Sequence, residues 1–150
     1  MEQIAKTLSA RGFNAFSEGT TAFVAPKESL MGYFSAGSND RNFTPEKYHA
    51  LRFSPGSLAE TDVSTSARSF TPQRGGQSMI ADLITQGVTG VKGYVDEPYT
   101  IAVAKPDILF DRYTKGYNLA ESFYMASQLI KWKDVVVGDP LCRPYAKDGP

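Results

Sequence analysis

The chain has 150 residues, of which 41% are hydrophobic and 21% are charged, with sixteen basic side chains balancing sixteen acidic ones. These values are typical of one globular domain, and we assign it residues 1–145, followed by a polar, loose tail at 146–150. The balanced charge argues against a surface for nucleic acid or anionic lipid. No apolar run approaches the ~20 residues that a membrane span needs. The first residues also lack the apolar segment of a signal peptide.

The first third of the chain predicts a helix, two strands and a second helix. Residues 2–11 have helical periodicity that Gly12 ends, and a short strand is expected at Asn14–Phe16. The apolar run Ser29–Phe34 then leads into the turn-rich segment 35–41, as a buried strand leads into a loop. Pro45 favours a short helix that reaches Leu51.

The middle of the chain alternates again between strand and helix patterns. Pro55-Gly56 is expected to end the preceding element, and Val63 and Thr65 favour a strand within 57–66. A helix follows with Ile80, Leu83 and Ile84 on one face. Residues 88–95 predict a strand whose glycines, Gly90 and Gly93, indicate close approach by another backbone or a ligand.

The last third predicts two helices and a final strand. Pro106 begins one helix, and Asn118 with Glu121 forms a capping-box pattern for the next. The run Asp134–Gly138 is expected to be a short buried strand. This alternation predicts an α/β fold in three αβα layers with a mainly parallel sheet and flavodoxin-like layering. No strand precedes the first helix, so the chain is expected to lack an N-terminal strand.

Ligands of such sheets bind beyond the carboxyl ends of the strands. Three loops are therefore expected to meet at one edge, namely residues 35–41, 96–99 and 139–143. The candidate ligand-binding residues on these loops are Ser38, Asn39, Asp40, Asp96, Glu97, Tyr99 and Asp139.

No catalytic group can be assigned from the residues. Cys142 is the only cysteine and His49 the only histidine, and neither lies in a nucleophile motif, so a structural thiol and a surface histidine are the favoured interpretations. One Cys and one His do not fill a zinc shell. The carboxylates at predicted strand ends suit calcium or magnesium better, but exposed acids are common in loops, so neither a metal ion nor another cofactor is expected, and calcium or magnesium is the alternative. No phosphate-binding loop is present.

Several segments resemble a family of largely uncharacterised bacterial proteins. They include MGYFSAGSND at 31–40, GVTGVKGYVDEPY at 87–99 and VVVGDPLCRPY at 135–145, and the similarity covers most of the chain. The resemblance implies a longer, often exported protein with a further region before this one. More distantly, the layout resembles the fold of the caspase/gingipain-like cysteine peptidases, in which Ala36 takes the place of the histidine. The segment Thr61–Ser66, which matches the cysteine strand, has no thiol.

Three functional hypotheses follow from these observations. The first is a binding or scaffolding module of caspase-like fold without peptidase activity, which contacts a protein or a small molecule at the strand ends. The second is a hydrolase that uses strand-end carboxylates, with or without a metal ion. The third is an incomplete copy that pairs with another chain through an exposed sheet edge.

Overall fold

The computed structural model describes residues 1–18, 21–73 and 75–146 and contains one four-stranded sheet. The strands are β1 (Leu30–Ser35), β2 (Phe53–Thr61), β3 (Gly90–Tyr94) and β4 (Asp134–Gly138), which lie side by side in that order. β1, β2 and β3 are parallel, whereas β4 runs antiparallel to β3. The predicted α/β fold with a mainly parallel sheet is confirmed.

In the described part of the chain, six helices connect and cover the strands. They are α1 (Glu2–Ala10), α2 (Pro45–Ala50), α3 (Ile80–Thr85), α4 (Tyr99–Ala102), α5 (Pro106–Thr114) and α6 (Leu119–Ala126), and a 3-10 turn occupies Gly37–Asn39. Both sequence signals for helix starts act as expected. Pro45 and Pro106 stand in the first turns of α2 and α5, and Asn118 and Glu121 form the reciprocal capping box of α6. None of these described helices combines the length and the apolar character that crossing a membrane requires.

The sheet has a hydrophobic core on each face, which gives the three layers. On one face Ala59 and Val91 pack with residues of α2 and α3, including Ile80 and Leu83. On the other face Leu58 packs with α1, α5 and α6, whose contributions include Leu109 and Phe123. Neighbouring residues of one strand thus enter different cores, as the two-residue period of a strand requires.

The glycines of β3 allow helices to approach both faces of the sheet. A Cβ atom at Gly90 would lie 1.9 Å from Cδ1 of Leu119 in α6, and one at Gly93 would lie 2.7 Å from Cγ2 of Ile80 in α3. The close approach predicted at these glycines is present, but helix side chains make it and not the backbone or ligand that was expected.

The start of β2 differs from the prediction. Pro55-Gly56 was expected to end an element, but both residues lie inside β2, where the pairing shifts from Leu30↔Phe53 to Gly32↔Leu58. An irregularity of this kind has room for a proline and for Gly56 at φ +82°, because the ladder is interrupted there. β2 therefore begins earlier than the composition suggested.

Three further predictions are wrong in whole or in part. Residues 14–16 form no strand. The strand expected within 57–66 is confirmed only as far as Thr61, the last residue of β2, and a turn follows at 64–67. β4 is not a buried parallel strand, since it lies antiparallel at the end of the sheet with Val136 exposed. Of the tail expected at 146–150, residues 147–150 lie outside the described part of the chain.

Candidate functional site

The carboxyl ends of the three parallel strands meet at one edge of the sheet. Ser35, the last residue of β1, is in register with Thr61, the last residue of β2, and β3 pairs with β2 in the same direction. The segments that follow, residues 36–41, 62–66 and 95–99, form a surface that we call the strand-end edge. The geometry expected for parallel strands therefore holds for β1, β2 and β3.

The segment after β1 is fixed to this edge by reciprocal hydrogen bonds. The backbone N–H of Ser38 donates to Oγ of Ser78 at 3.1 Å, and the backbone N–H of Ser78 donates to Oγ of Ser38 at 2.9 Å. The Asn39 amide donates to the carbonyl of Asp62 at 3.3 Å, directly after β2. Gln77 donates to Oδ1 of Asn39 at 3.4 Å and accepts from the Thr65 hydroxyl at 2.6 Å. Asn39 is thus tied to the segment after β2 by two routes.

The segment after β3 joins the same surface through Glu97. Its Oε2 accepts a hydrogen bond from the Ser64 hydroxyl at 2.6 Å, and its Oε1 accepts from the backbone N–H of Tyr99 at 2.9 Å. Tyr99 has φ +52°, a left-handed conformation that is uncommon for a bulky residue, and its side chain is 64% exposed. The Glu97 carboxylate therefore holds Tyr99 in this position and connects β3 to β2.

Asp96 is paired at the end of the same segment. Its Oδ2 lies 2.7 Å from Nζ of Lys133, and its Oδ1 accepts from the backbone N–H of Glu97 at 2.8 Å. The hydrogen bonds from Lys133 and from this N–H lower the pKa of Asp96, while the bond to Asp96 raises the pKa of Lys133. Asp96 is exposed and the Lys133 side chain is partly exposed, so the pair contributes little to stability.

Six of the seven sequence-predicted residues lie on the strand-end edge. Asp40 accepts a hydrogen bond from the backbone N–H of Asn42 at 2.7 Å, which stabilises the turn after the 3-10 segment. The six are Ser38, Asn39, Asp40, Asp96, Glu97 and Tyr99. Whether they bind a ligand remains a prediction.

The placement of Asp139 at this edge is wrong. β4 is antiparallel to β3, with Tyr94 opposite Asp134 and Gly90 opposite Gly138. Asp139 therefore follows β4 at the edge where β3 begins, at the opposite end of the sheet from Glu97. The prediction assumed that β4 was parallel, and the residue pattern of a short valine run is the same in both directions.

Sequence reasoning missed a buried acid cluster beneath the strand-end edge, formed by Glu60, Lys92, Tyr94 and Asp134. Nζ of Lys92 lies 2.9 Å from Oδ2 of Asp134 and donates to the carbonyl of Ala102 at 2.9 Å. The Tyr94 hydroxyl donates to Oε1 of Glu60. Glu60, Lys92 and Tyr94 are fully buried, so these hydrogen bonds replace the contacts that water would otherwise make.

Burial controls the ionisation of Glu60. It raises the pKa of this carboxyl from 4.5 to about 8, although the positive charge of Lys92 and the hydrogen bond from Tyr94 both act to lower it. Oε1 also accepts from the backbone N–H of Ala104 at 3.1 Å, whereas Oε2 has no hydrogen-bond partner among the described residues. A protonated Oε2 avoids the cost of an unpaired buried charge.

The segment after β3 covers this cluster. α4 supplies the carbonyl of Ala102 to Lys92, and the N–H of Ala104 reaches Glu60. Residues 99–104 therefore connect the exposed Tyr99 with the buried cluster. Alternate residues of a strand lie on the same face, so Glu60 shares a face with Leu58, and Lys92 and Tyr94 share that face with Gly90. This alternation was the available signal for the cluster.

The sheet separates the lone cysteine from the lone histidine. Cys142 packs against the core of α1, α5 and α6 and lies 3.5 Å from the Tyr113 hydroxyl. His49 follows Tyr48, a residue of the opposite core, and its Nε2 lies 3.5 Å from Asp82. A Cys–His dyad needs the two groups within hydrogen-bond reach, and this structure does not place them so.

The described residues contain no group of three or more acidic, His or Cys side chains arranged to hold a metal ion. At the strand-end edge each predicted carboxylate instead accepts hydrogen bonds from the chain itself. The alternative of a calcium or magnesium site therefore gains no geometric support.

A cleft of about 430 Å³ lies at the opposite edge, beside the start of β2. It is lined by His49, Arg52, Asp82, Thr85 and Gln86. Asp82 pairs with His49, and the Arg52 guanidinium donates to the carbonyls of His49 and Leu51. Asp82 and Arg52, which line the cleft, therefore already have partners within the chain.

Comparisons with protein-family models, with curated proteins and with solved structures gave no match. The function is therefore argued from the geometry of the chain.

Proposed function

We propose that this chain is a binding or scaffolding domain of the caspase/gingipain-like class without peptidase activity, and that the strand-end edge contacts its partner. The carrying observation is the continuous hydrogen-bonded edge that runs from Asn39 through the segment after β2 to Glu97. Its side chains are held by the chain before any partner arrives. Such preorganisation lowers the entropy that binding costs.

The composition of the edge fits a protein contact. Tyr99 is an exposed aromatic side chain, and Asn39 and Glu97 on the same edge are exposed groups that can make hydrogen bonds. Interfaces favour aromatic residues surrounded by polar groups of this kind. The left-handed backbone of Tyr99 costs free energy that the hydrogen bond to Glu97 offsets, and such conformations concentrate at functional sites.

The absence of peptidase activity is supported by two placements. Ala36 stands at the end of β1, where the resemblance expects a histidine, and the segment after β2 carries Asp62, Ser64 and Thr65 instead of a thiol. Cys142 and His49 lie on different sides of the sheet and do not replace the missing pair.

The proposal is tested by affinity capture with the wild-type domain, followed by measurement of binding to each captured partner. Asn39→Ala and Glu97→Gln are expected to weaken binding at least tenfold while the melting temperature changes little, because both residues are exposed. Glu28→Ala is the matched control, since Glu28 is an exposed acid before β1, at the other edge. Unchanged binding in both edge variants would contradict the proposal.

One observation favours a second candidate, a hydrolase that uses a strand-end carboxylate. Glu60 lies one residue before the end of β2 and, with a pKa of about 8, carries a proton at neutral pH, as a general acid must. Substrate would reach it only if α4 moved aside, because Glu60 is fully buried. Turnover of chromogenic ester, phosphate or glycoside substrates, abolished in Glu60→Gln, would support the hydrolase. No turnover by the wild type would exclude these reactions.

A further inference from the structure

β4 forms one end of the sheet, and its outer backbone groups are regularly arranged. The N–H of Val95 donates to the carbonyl of Lys133 at 2.9 Å, which makes Val95 and Lys133 a hydrogen-bonded pair of the β3–β4 ladder. Hydrogen-bonded pairs alternate in antiparallel strands, so Val135 and Val137 also bond to β3. The N–H and C=O groups of Asp134, Val136 and Gly138 therefore point away from β3.

This outer side, which we call the β4 edge, is unprotected among the described residues. No described backbone or side-chain group bonds to the outward groups of Val136, whose side chain is 39% exposed. The strand contains three successive valines and neither proline nor lysine, the residues that commonly block edge pairing. Such an edge is a template for another strand.

The sequence around Val136 is complementary to itself when two copies run antiparallel. A two-fold axis at Val136 places Asp134 opposite Gly138 of the second copy, so the outward groups of both strands bond in register. One position further out, Lys133 stands opposite Asp139 of the second copy, and the symmetric contact repeats at the other end. No pair in this register has like charges.

The side-chain faces agree with the same register. Val135 and Val137 pack against the core shared with α2 and α3. In the strand pair, Val135 lies opposite Val137 of the second copy, and Val137 lies opposite Val135. Lys133 and Asp139 lie one residue beyond the two ends of β4. Opposite charges therefore flank an apolar centre.

We infer that β4 is a dimerisation strand: a second copy of this chain pairs with it antiparallel about Val136, giving one eight-stranded sheet. The contact is separate from the strand-end edge of the proposed function.

The mass of the full chain in solution tests the inference, measured by sedimentation equilibrium from micromolar to near-millimolar protein. The wild type should approach about 33 kDa, twice the 16.4 kDa of the chain, as concentration rises. Val136→Pro removes an outward N–H without touching the bonds to β3, so the variant should fold and stay monomeric. Circular dichroism checks its fold.

A charge swap gives an independent test on an exposed residue. Asp139→Lys places two lysines opposite each other at both ends of the strand pair and should raise the dissociation constant at least tenfold. Asp139→Ala, which also loses the hydrogen bond from Leu141, is the control and should have a smaller effect. Adding Lys133→Asp to Asp139→Lys should restore opposite charges at both ends and with them part of the affinity. The restoration is only partial, because Lys133→Asp also places a second carboxylate near Asp96, whose Oδ2 lies 2.7 Å from Nζ of Lys133 in the wild type.

Three results would overturn the inference. They are a wild type that is monomeric at every concentration, a dimer that Asp139→Lys leaves unchanged, and a double variant that dimerises no better than Asp139→Lys alone. A dimer built on β1 would give the second result.

Discussion

Lys92 and Asp134 form an ion pair between the adjacent strands β3 and β4, with Nζ of Lys92 2.9 Å from Oδ2 of Asp134. The Lys92 side chain is fully buried and that of Asp134 is 11% exposed. Each partner therefore compensates for the water that the other has lost. The pair also fixes the direction of β4, because only an antiparallel strand brings Asp134 to the strand-end edge.

We predict that Lys92→Met lowers the free energy of unfolding by about 3 kcal/mol, because it leaves the Asp134 carboxylate without its buried partner. Urea denaturation measures the change. Lys115→Met is the matched control: Lys115 pairs with Asp111 at 2.9 Å but is 50% exposed, so its loss should cost about 0.5 kcal/mol or less. Equal losses in the two variants would show that the Lys92 pair is not a structural contact.

The stability of the fold should fall as the pH rises from about 5 to about 8. The pKa of Glu60 is raised to about 8, so the folded state holds a proton that the unfolded state releases near its ordinary pKa of 4.5. Stability from this proton is complete below the unfolded pKa and is lost as the pH passes through the folded pKa. The loss is of the order of a few kcal/mol.

Urea denaturation at several pH values measures this dependence, and Glu60→Gln removes the titrating group. The variant should show a flatter profile than the wild type across this range. A wild type whose stability rises between pH 5 and pH 8, or a variant with the same profile, would contradict a protonated Glu60.

The contact between Gly90 and Leu119 predicts a non-additive pair of substitutions. A Cβ at Gly90 overlaps Cδ1 of Leu119, so Gly90→Ala should destabilise the protein by about 1–3 kcal/mol. In a Leu119→Ala background the overlap is gone, and the same change should cost much less. A double-mutant cycle by urea denaturation measures the difference, and full additivity would show that the cost of Gly90→Ala does not arise from the contact with Leu119.

Periodicity and cap residues predicted most of the fold, since these signals are local. The strand at β1, the helices that begin at Pro45 and Pro106, and the capped helix after Asn118 all form where the sequence indicated. The start of β2 was missed because its bulge accommodates Pro55-Gly56, which normally end a strand. Whether a bulge or a turn forms there depends on the neighbouring strand.

The candidate site was predicted where it depends on parallel strands and missed where it depends on partners distant in sequence. Six residues reach the strand-end edge because β1 and β3 both run parallel to β2. Asp139 does not, because strand direction is set by tertiary contacts such as the Lys92–Asp134 pair. Glu60 and Lys92 were missed because a charged residue in a strand normally indicates an exposed face, and here the two charges are buried together.

The most direct test of the strand-end edge is a hydrogen-exchange footprint of the full chain with and without a partner captured by the wild type. We predict slower exchange in residues 36–41, 62–66 and 95–99, with the Glu97→Gln complex losing this protection. Protection confined to β4, or to the cleft around His49 and Arg52, with no change in those three segments, would contradict the account.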